Sequence, residues 1–254
     1  MTDSTLYNVL LIGVFAAVPL TVVPLLWSNA PYGRHASKDA FGPQLPTRLA
    51  WVYMESPSAF AFAYFFVTGV NASQIVPIIL FLIWQTHYVH RTLIYPFQMR
   101  VREGDSMPLY IASSGFVFNT INAFLNAKWI STYGEYDVAW LSDPRFILGA
   151  AVFAIGYYVN RRSDAILRAL RGPGDTGYKI PHGGLYGLVS SPNYFGELLI
   201  WSGWAIATWS LAGLSFAAYT AANLVPRAIA HHRWYHSKFE DYPPERRAVI
   251  PYIL

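Results

Sequence analysis

The sequence predicts an all-α integral membrane protein: a bundle of seven transmembrane helices, with the N-terminus outside and the C-terminus cytoplasmic. Three observations carry this. Of the 254 residues, 54% are hydrophobic and only 13% charged, where an ordinary soluble domain carries about 25% charged residues. Aromatic side chains reach 17%, with 9 Trp, 18 Tyr and 16 Phe, and such amphipathic rings suit a membrane interface. The basic residues lie between apolar runs and favour one side of the bilayer.

A transmembrane helix needs about 20 mostly apolar residues. Leu6–Trp27 is the first such run. Met1–Leu26 contains no Lys or Arg, so it lacks the basic start of a secretory signal peptide. Further runs are Arg48–Val70, Gln74–Pro96, Pro108–Ile130 and Arg145–Val159, the last short and able to borrow residues beyond Asn160. Phe195–Pro226 is too long for one span and short for two, and Leu211-Ala212-Gly213 could turn it.

Charge decides between one span and two. With seven spans, one side holds Arg34, Lys38, Arg48, Arg100, Arg102, Arg161, Arg162, Arg168, Arg171, Lys179 and the five tail cations from Arg227 to Arg247. The other side holds Lys128 and Arg145, and Arg91 lies within a span. Cytoplasmic loops collect Lys and Arg, so this side is inside. The loop Asn160–Ser190 starts as a helix and stops at Gly172-Pro173-Gly174; the tail is helix-like to about Phe239. No repeat or linker divides the chain, so residues 1–254 read as one domain.

Composition also excludes. Cysteine is absent, which rules out a disulfide framework, a thiolate metal site and a cysteine nucleophile. The net charge of +4 is a topology signal, so no nucleic-acid partner is expected. The 7 histidines fall short of the several histidine boxes of a membrane di-iron enzyme, although His232 and His236 share a helix face. No metal is expected.

Ionisable groups at membrane depth are costly and mark function. Glu55 lies in the second span, His87, Tyr88, His90 and Arg91 in the third, and Glu197 opens the sixth. These groups could simply pair to hold helices together, or they could line a polar pocket. A phenol beside a carboxyl group can hydrogen-bond a carbonyl and polarise it, which suits Tyr88 and Glu55. Two polar stripes occupy the basic helix ends: Asn160, Asp164 and Arg171 on one helix, and Arg227, His231 and Tyr235 on another. They are either solvated ends or two faces that meet around a phosphate-bearing ligand. There is no G-x-G-x-x-G and no Walker motif, so a nucleotide would not be held by a Rossmann fold.

The segment Tyr178-Lys-Ile-Pro-His-Gly-Gly-Leu-Tyr-Gly-Leu-Val-Ser-Ser-Pro-Asn193-Tyr-Phe-Gly-Glu197 resembles the steroid 5α-reductase family closely. The likeness continues through Trp201, Arg227-Ala-Ile-Ala-His231-His-Arg-Trp-Tyr235 and Phe239-Glu-Asp-Tyr-Pro243, and through His87-Tyr88-Val-His-Arg91-Thr. It is most specific over residues 143–254. The resemblance implies a seven-helix, NADPH-dependent reductase of Δ4-3-oxo steroids. Glu55 and Tyr88 would bind the 3-oxo group, with hydride arriving at C5 and a proton at C4. Trp51, Arg91, Phe118 and Trp201 would line the substrate. Tyr32, Arg34, Asn160, Asp164, Arg171, Tyr178, Asn193, Glu197, Arg227, His231 and Tyr235 would bind the cofactor. The surplus arginines point to NADPH over NADH.

Family members commonly carry Gln before the catalytic Glu, where this chain has Met54, and Pro192 is closer to relatives acting on other lipids. A reductase of an enoyl thioester, polyprenol or sterol, an S-adenosylmethionine-dependent lipid methyltransferase and a sterol-binding receptor therefore stay open. The expected setting is a monomer among membrane lipids, in the cell membrane of a bacterium or the endoplasmic reticulum of a eukaryote.

Overall fold

The computed structural model describes residues 3–27, 42–101, 104–170, 172 and 177–254. Tyr32, Arg34 and Arg171 lie outside the described residues. Among those described, the helices join into seven rods. These are α1 (Asp3–Trp27); α2 (Thr47–Ser56), which passes through a π-helical turn at Pro57–Ala61 into α3 (Phe62–Val67); and α4 (Ile75–Val89), which passes through a second π turn at His90–Ile94 into α5 (Tyr95–Gln98). Then come α6 (Leu109–Lys128), closed by a π turn at Trp129–Tyr133, α7 (Pro144–Ala169), α8 (Pro192–Thr208) and α9 (Leu211–Lys238).

The short fifth run does borrow residues beyond Asn160 and continues to Ala169, because the helix-forming run Asp164–Ala169 follows it without a Gly or Pro. Two details differ from the sequence expectation. The expected turn at Leu211–Gly213 falls at Trp209-Ser210. Trp209 takes the left-handed conformation, φ 45°, and the Ser210 side chain accepts from the Gly213 N–H to cap α9. The chain is also not wholly α. Strand β1 (Gln44–Pro46) pairs antiparallel with β2 (Ser106–Pro108). Each strand is three residues long and ends on the proline that starts α2 or α6, so neither shows a readable alternation.

These connections sort the rod ends. The ribbon fixes the starts of α2 and α6 side by side. Elsewhere, Ser190 N–H donates to the Arg247 carbonyl at 2.8 Å and Arg247 N–H to that of Leu188 at 2.8 Å, joining the loop before α8 to the tail. At other rod ends, Asn71 N–H donates to the Ser131 carbonyl at 2.8 Å. Tyr136 Oη donates to the Thr208 carbonyl at 2.6 Å, and Lys128 pairs with Asp3 at 3.5 Å.

Two packing features position the site. Trp84, Trp204, Phe62, Leu80 and Ile200 are fully buried at the centre. Along α7 and α8, glycines let the backbones touch: a Cβ on Gly149, Gly156, Gly196 or Gly203 would run into backbone atoms of the facing helix. By length and composition, Asp3–Leu26 is the one described helix apolar enough to cross a membrane. The other rods are interrupted by π turns or carry the buried polar groups described next.

Candidate active site

The second rod is broken where its chemistry lies. Pro57 has no N–H, so the helix cannot satisfy the Tyr53 carbonyl one turn earlier; the Ser56 hydroxyl donates to it instead, at 2.8 Å. The chain then widens into the π turn Pro57–Ala61, a distortion common at functional sites. Side chains of other rods donate to the carbonyls of this stretch. Asn119 reaches Met54 at 2.8 Å, Thr92 reaches Glu55 at 3.1 Å, Trp84 reaches Ser58 at 2.8 Å and Gln85 reaches Ala59 at 2.9 Å.

Trp84 and Thr92 flank Tyr88 one turn to either side. Both grip the Glu55–Ser58 stretch, so Tyr88, on the same face of the third rod, is turned toward Glu55. Glu55 and Tyr88 are both buried, 8% and 3% exposed, and Glu55 is among the charges that act on the phenol. The Tyr88 ring packs 4.9 Å from Trp84 and 5.4 Å from Trp201. Arg91 stands 3.6 Å from one Glu55 oxygen, and Asn119 donates to the other at 3.3 Å. The Arg91 guanidinium lies against the rings of Trp51 and Tyr95, 4.8 Å from each, and the two rings meet edge to face at 5.6 Å.

Glu197 is a second buried carboxylate, and the protein itself surrounds it. Asn160 donates to one oxygen at 3.1 Å; Trp201 donates to the other at 3.0 Å, and His87 lies 3.7 Å from that same oxygen. Asn160 also donates to the Asn193 carbonyl at 3.1 Å, and Asn193 donates to Asp164 at 3.3 Å. A continuous polar line thus leads from His87 to a cavity of about 280 Å³ at the ends of the third rod, α7 and α9. Tyr95, Arg100, Asp164, Arg168, Tyr178, Lys179, Asn193 and Tyr235 are among its lining residues.

The structure therefore brings together Glu55, Tyr88, Trp51, Arg91 and Trp201 in one cluster. It brings Asn160, Glu197, Asp164, Asn193, Tyr178 and Tyr235 to the cavity or to the polar line that reaches it. Arg227 and His231 sit elsewhere on α9, against Tyr194: the guanidinium is 5.6 Å from that ring and the imidazole 5.6 Å. Tyr235 of the same stripe lines the cavity together with Asp164 and Asn193. Phe118 stacks on Tyr219 at 4.0 Å, at the contact of α6 with α9. Sequence reasoning missed Asn119, Thr92, Tyr95, Arg100 and Lys179 as site residues. For Asn119 a signal existed, since Asn119, Asn122 and Asn126 recur at helical spacing inside an apolar span.

Buried carboxylates, a buried phenol and a cavity with basic lining lie together inside a helical bundle, an arrangement that suits an enzyme. The family model for 3-oxo-5-alpha-steroid 4-dehydrogenase matches residues 105–254. A 3-oxo-5-alpha-steroid 4-dehydrogenase 1 from Bos taurus is 43% identical, covering 100% of this chain and 97% of that protein. A steroid 5-alpha-reductase from Solanum lycopersicum is 40% identical over 99% and 98%, and the Homo sapiens 3-oxo-5-alpha-steroid 4-dehydrogenase 1 is 42% identical over 89% and 87%. The chain belongs to the 3-oxo-5-alpha-steroid 4-dehydrogenase family and is an oxidoreductase of steroid metabolism. The methyltransferase and receptor readings fall with that membership.

Proposed function

We propose that this enzyme reduces the Δ4 double bond of 3-oxo-Δ4-steroids, such as testosterone or progesterone, to 5α-reduced 3-oxo-steroids, with NADPH as the reductant. The observation that carries the reading is the double clamp of Trp84 and Thr92 on the Glu55–Ser58 stretch, which turns Tyr88 toward Glu55. A phenol and a carboxyl group held this way can hydrogen-bond one ketone oxygen. As negative charge develops on that oxygen, an O–H donor already in place stabilises it without reorganisation. Tyr88 is the donor, and Glu55 holds the second position on the oxygen. Trp201 and Trp84 exclude water from the phenol's side.

The cavity fits a nicotinamide dinucleotide in its donor set. Arg100, Arg168 and Lys179 supply cations for phosphates. Arg168 Nη1 is buried with no hydrogen-bond partner among the described residues, a donor that a phosphate oxygen would satisfy. When bound, such a cofactor supplies the hydride that enters at C5; the proton at C4 comes from solvent. Asn160, Asp164, Asn193, Glu197, Tyr178 and Tyr235 would order the nucleotide, with Arg227 and His231 acting through Tyr194 and the start of α8.

We also read the seven rods as seven membrane spans, with the C-terminal tail and the nucleotide cavity on the cytoplasmic side. An apolar steroid then enters from the bilayer and a charged cofactor from water. The ribbon β1–β2 and the link between Ser190 and Arg247 support this, because each joins segments that the seven-span reading places on the same side.

The test is NADPH oxidation on adding testosterone or progesterone to the protein in detergent or lipid. Wild type is expected to consume NADPH and yield a 5α-reduced product. Glu55→Gln and Tyr88→Phe are each expected to lose at least about 100-fold in turnover, the scale of one positioned acid or donor. Normal turnover by both variants would overturn the mechanism.

A further inference from the structure

We infer that Asn119 is the positioning residue for Glu55, setting which carboxyl oxygen faces the substrate. The inference rests on the reading of Glu55 given above. An amide nitrogen carries two N–H donors, and Asn119 spends them on neighbouring parts of one segment. One reaches the Met54 carbonyl at 2.8 Å and the other Glu55 Oε2 at 3.3 Å. The backbone and the side chain at this point of the second rod are thus tied to a single group on α6. Asn119 is 8% exposed, so water does not compete for either bond.

The sequence shows why α6 supplies this donor. Met54 carries no N–H on its side chain and cannot support its neighbour. It lies instead across bare Gly115, where a Cβ would collide with its Cγ and Sδ. Gly115 and Asn119 are one helical turn apart on the same face, so the close approach at Gly115 brings the Asn119 amide onto the carbonyl and the carboxyl together.

The chemical consequence concerns orientation. Asn119 holds Oε2 from α6 while Arg91 stands at Oε1 from the third rod, so the two together fix the rotation of the carboxyl group. The charged and titratable groups that act on Glu55 are Arg91 from the third rod and Glu197 from α8, and Tyr88 responds to Glu55 in turn. α6 contributes no charge to this carboxyl, so the effect of Asn119 is one of direction and donor count.

Steady-state kinetics with NADPH and progesterone, paired with thermal unfolding in detergent, test the assignment. Asn119→Ala is expected to lower kcat by about tenfold or more, the worth of a hydrogen bond to a charged group, with KM for NADPH unchanged. Asn119→Asp is the decisive variant. Its new side chain accepts when ionised and donates only when protonated, so its kcat is expected to recover as pH falls, while Asn119→Ala shows no such recovery. Equal kcat in wild type and Asn119→Ala, or parallel pH profiles for the two variants, would overturn the assignment. A wild type that consumes no NADPH with any 3-oxo-Δ4-steroid would instead overturn the functional reading beneath it.

Discussion

Glu55 and Tyr88 were visible in the sequence as isolated polar groups at membrane depth, but nothing in the sequence alone said that they meet. Their meeting depends on Trp84 and Thr92, which look like ordinary span residues and become informative only once the carbonyls freed around Pro57 are in view. Asp143 is a more local case. It caps α7 by accepting from Arg145 N–H at 2.8 Å and takes the Arg145 guanidinium on both oxygens, at 2.9 and 2.8 Å. The side-chain hydrogen bonds from Arg145, then its backbone bond, hold the carboxyl down at about 2, against an ordinary 3.8. A depressed carboxyl contributes stability that is whole above its unfolded value and lost as pH falls through its folded one. The contribution of Asp143 should therefore fade between pH 3.8 and about 2. Melting curves of wild type and Asp143→Asn in detergent should differ at pH 5 and converge toward pH 2; a constant gap would contradict the pairing.

At the scale of elements, helix existence was legible and helix junctions were not. The apolar runs predicted rods because burial and backbone satisfaction both demand helices in such a sequence. The Trp209-Ser210 turn was misplaced by two residues because a left-handed Trp is rare and the capping role of Ser210 depends on Gly213. The α7–α8 contact was not read at all. Its glycines, at Gly149, Gly156, Gly196 and Gly203, interleave across the interface, and Gly196 lies where a Cβ would meet the Asn160 backbone. This close approach is what lets Asn160 reach both Glu197 and the Asn193 carbonyl. Gly156→Leu should force the two helices apart, costing about 1–3 kcal/mol as overpacked cores do. NADPH affinity, measured by fluorescence titration, should weaken with it. Unchanged affinity and melting temperature would show that the interface is not needed to set Asn160.

For the whole molecule, charge placement and hydropathy give different readings of the arrangement. Fifteen of the 18 Lys and Arg residues lie in the loops assigned to one side, yet among the described residues only Asp3–Leu26 is apolar enough by itself to be read as a span. The other rods spend their interior faces on polar residues, and a window of hydropathy cannot separate a polar face turned inward from one turned to water. The absence of cysteine makes the proposed topology directly testable. A single thiol from Ser142→Cys, before α7, should react with a membrane-impermeant maleimide on intact cells. One from Ser237→Cys, near the end of α9, should react only after permeabilisation. Labelling of both from outside would sink the seven-span arrangement.

The link between Ser190 and Arg247 has a consequence for how the enzyme is made. Synthesis runs from the N-terminus, so Glu55 and Tyr88 are inserted early, while the loop before α8 waits for residues 247 and 248 to emerge. Ser190 Oγ is likewise paired with Tyr242 at 2.7 Å. A nascent chain stalled after α9 would hold all seven rods and still lack the segment that pairs with the loop before α8.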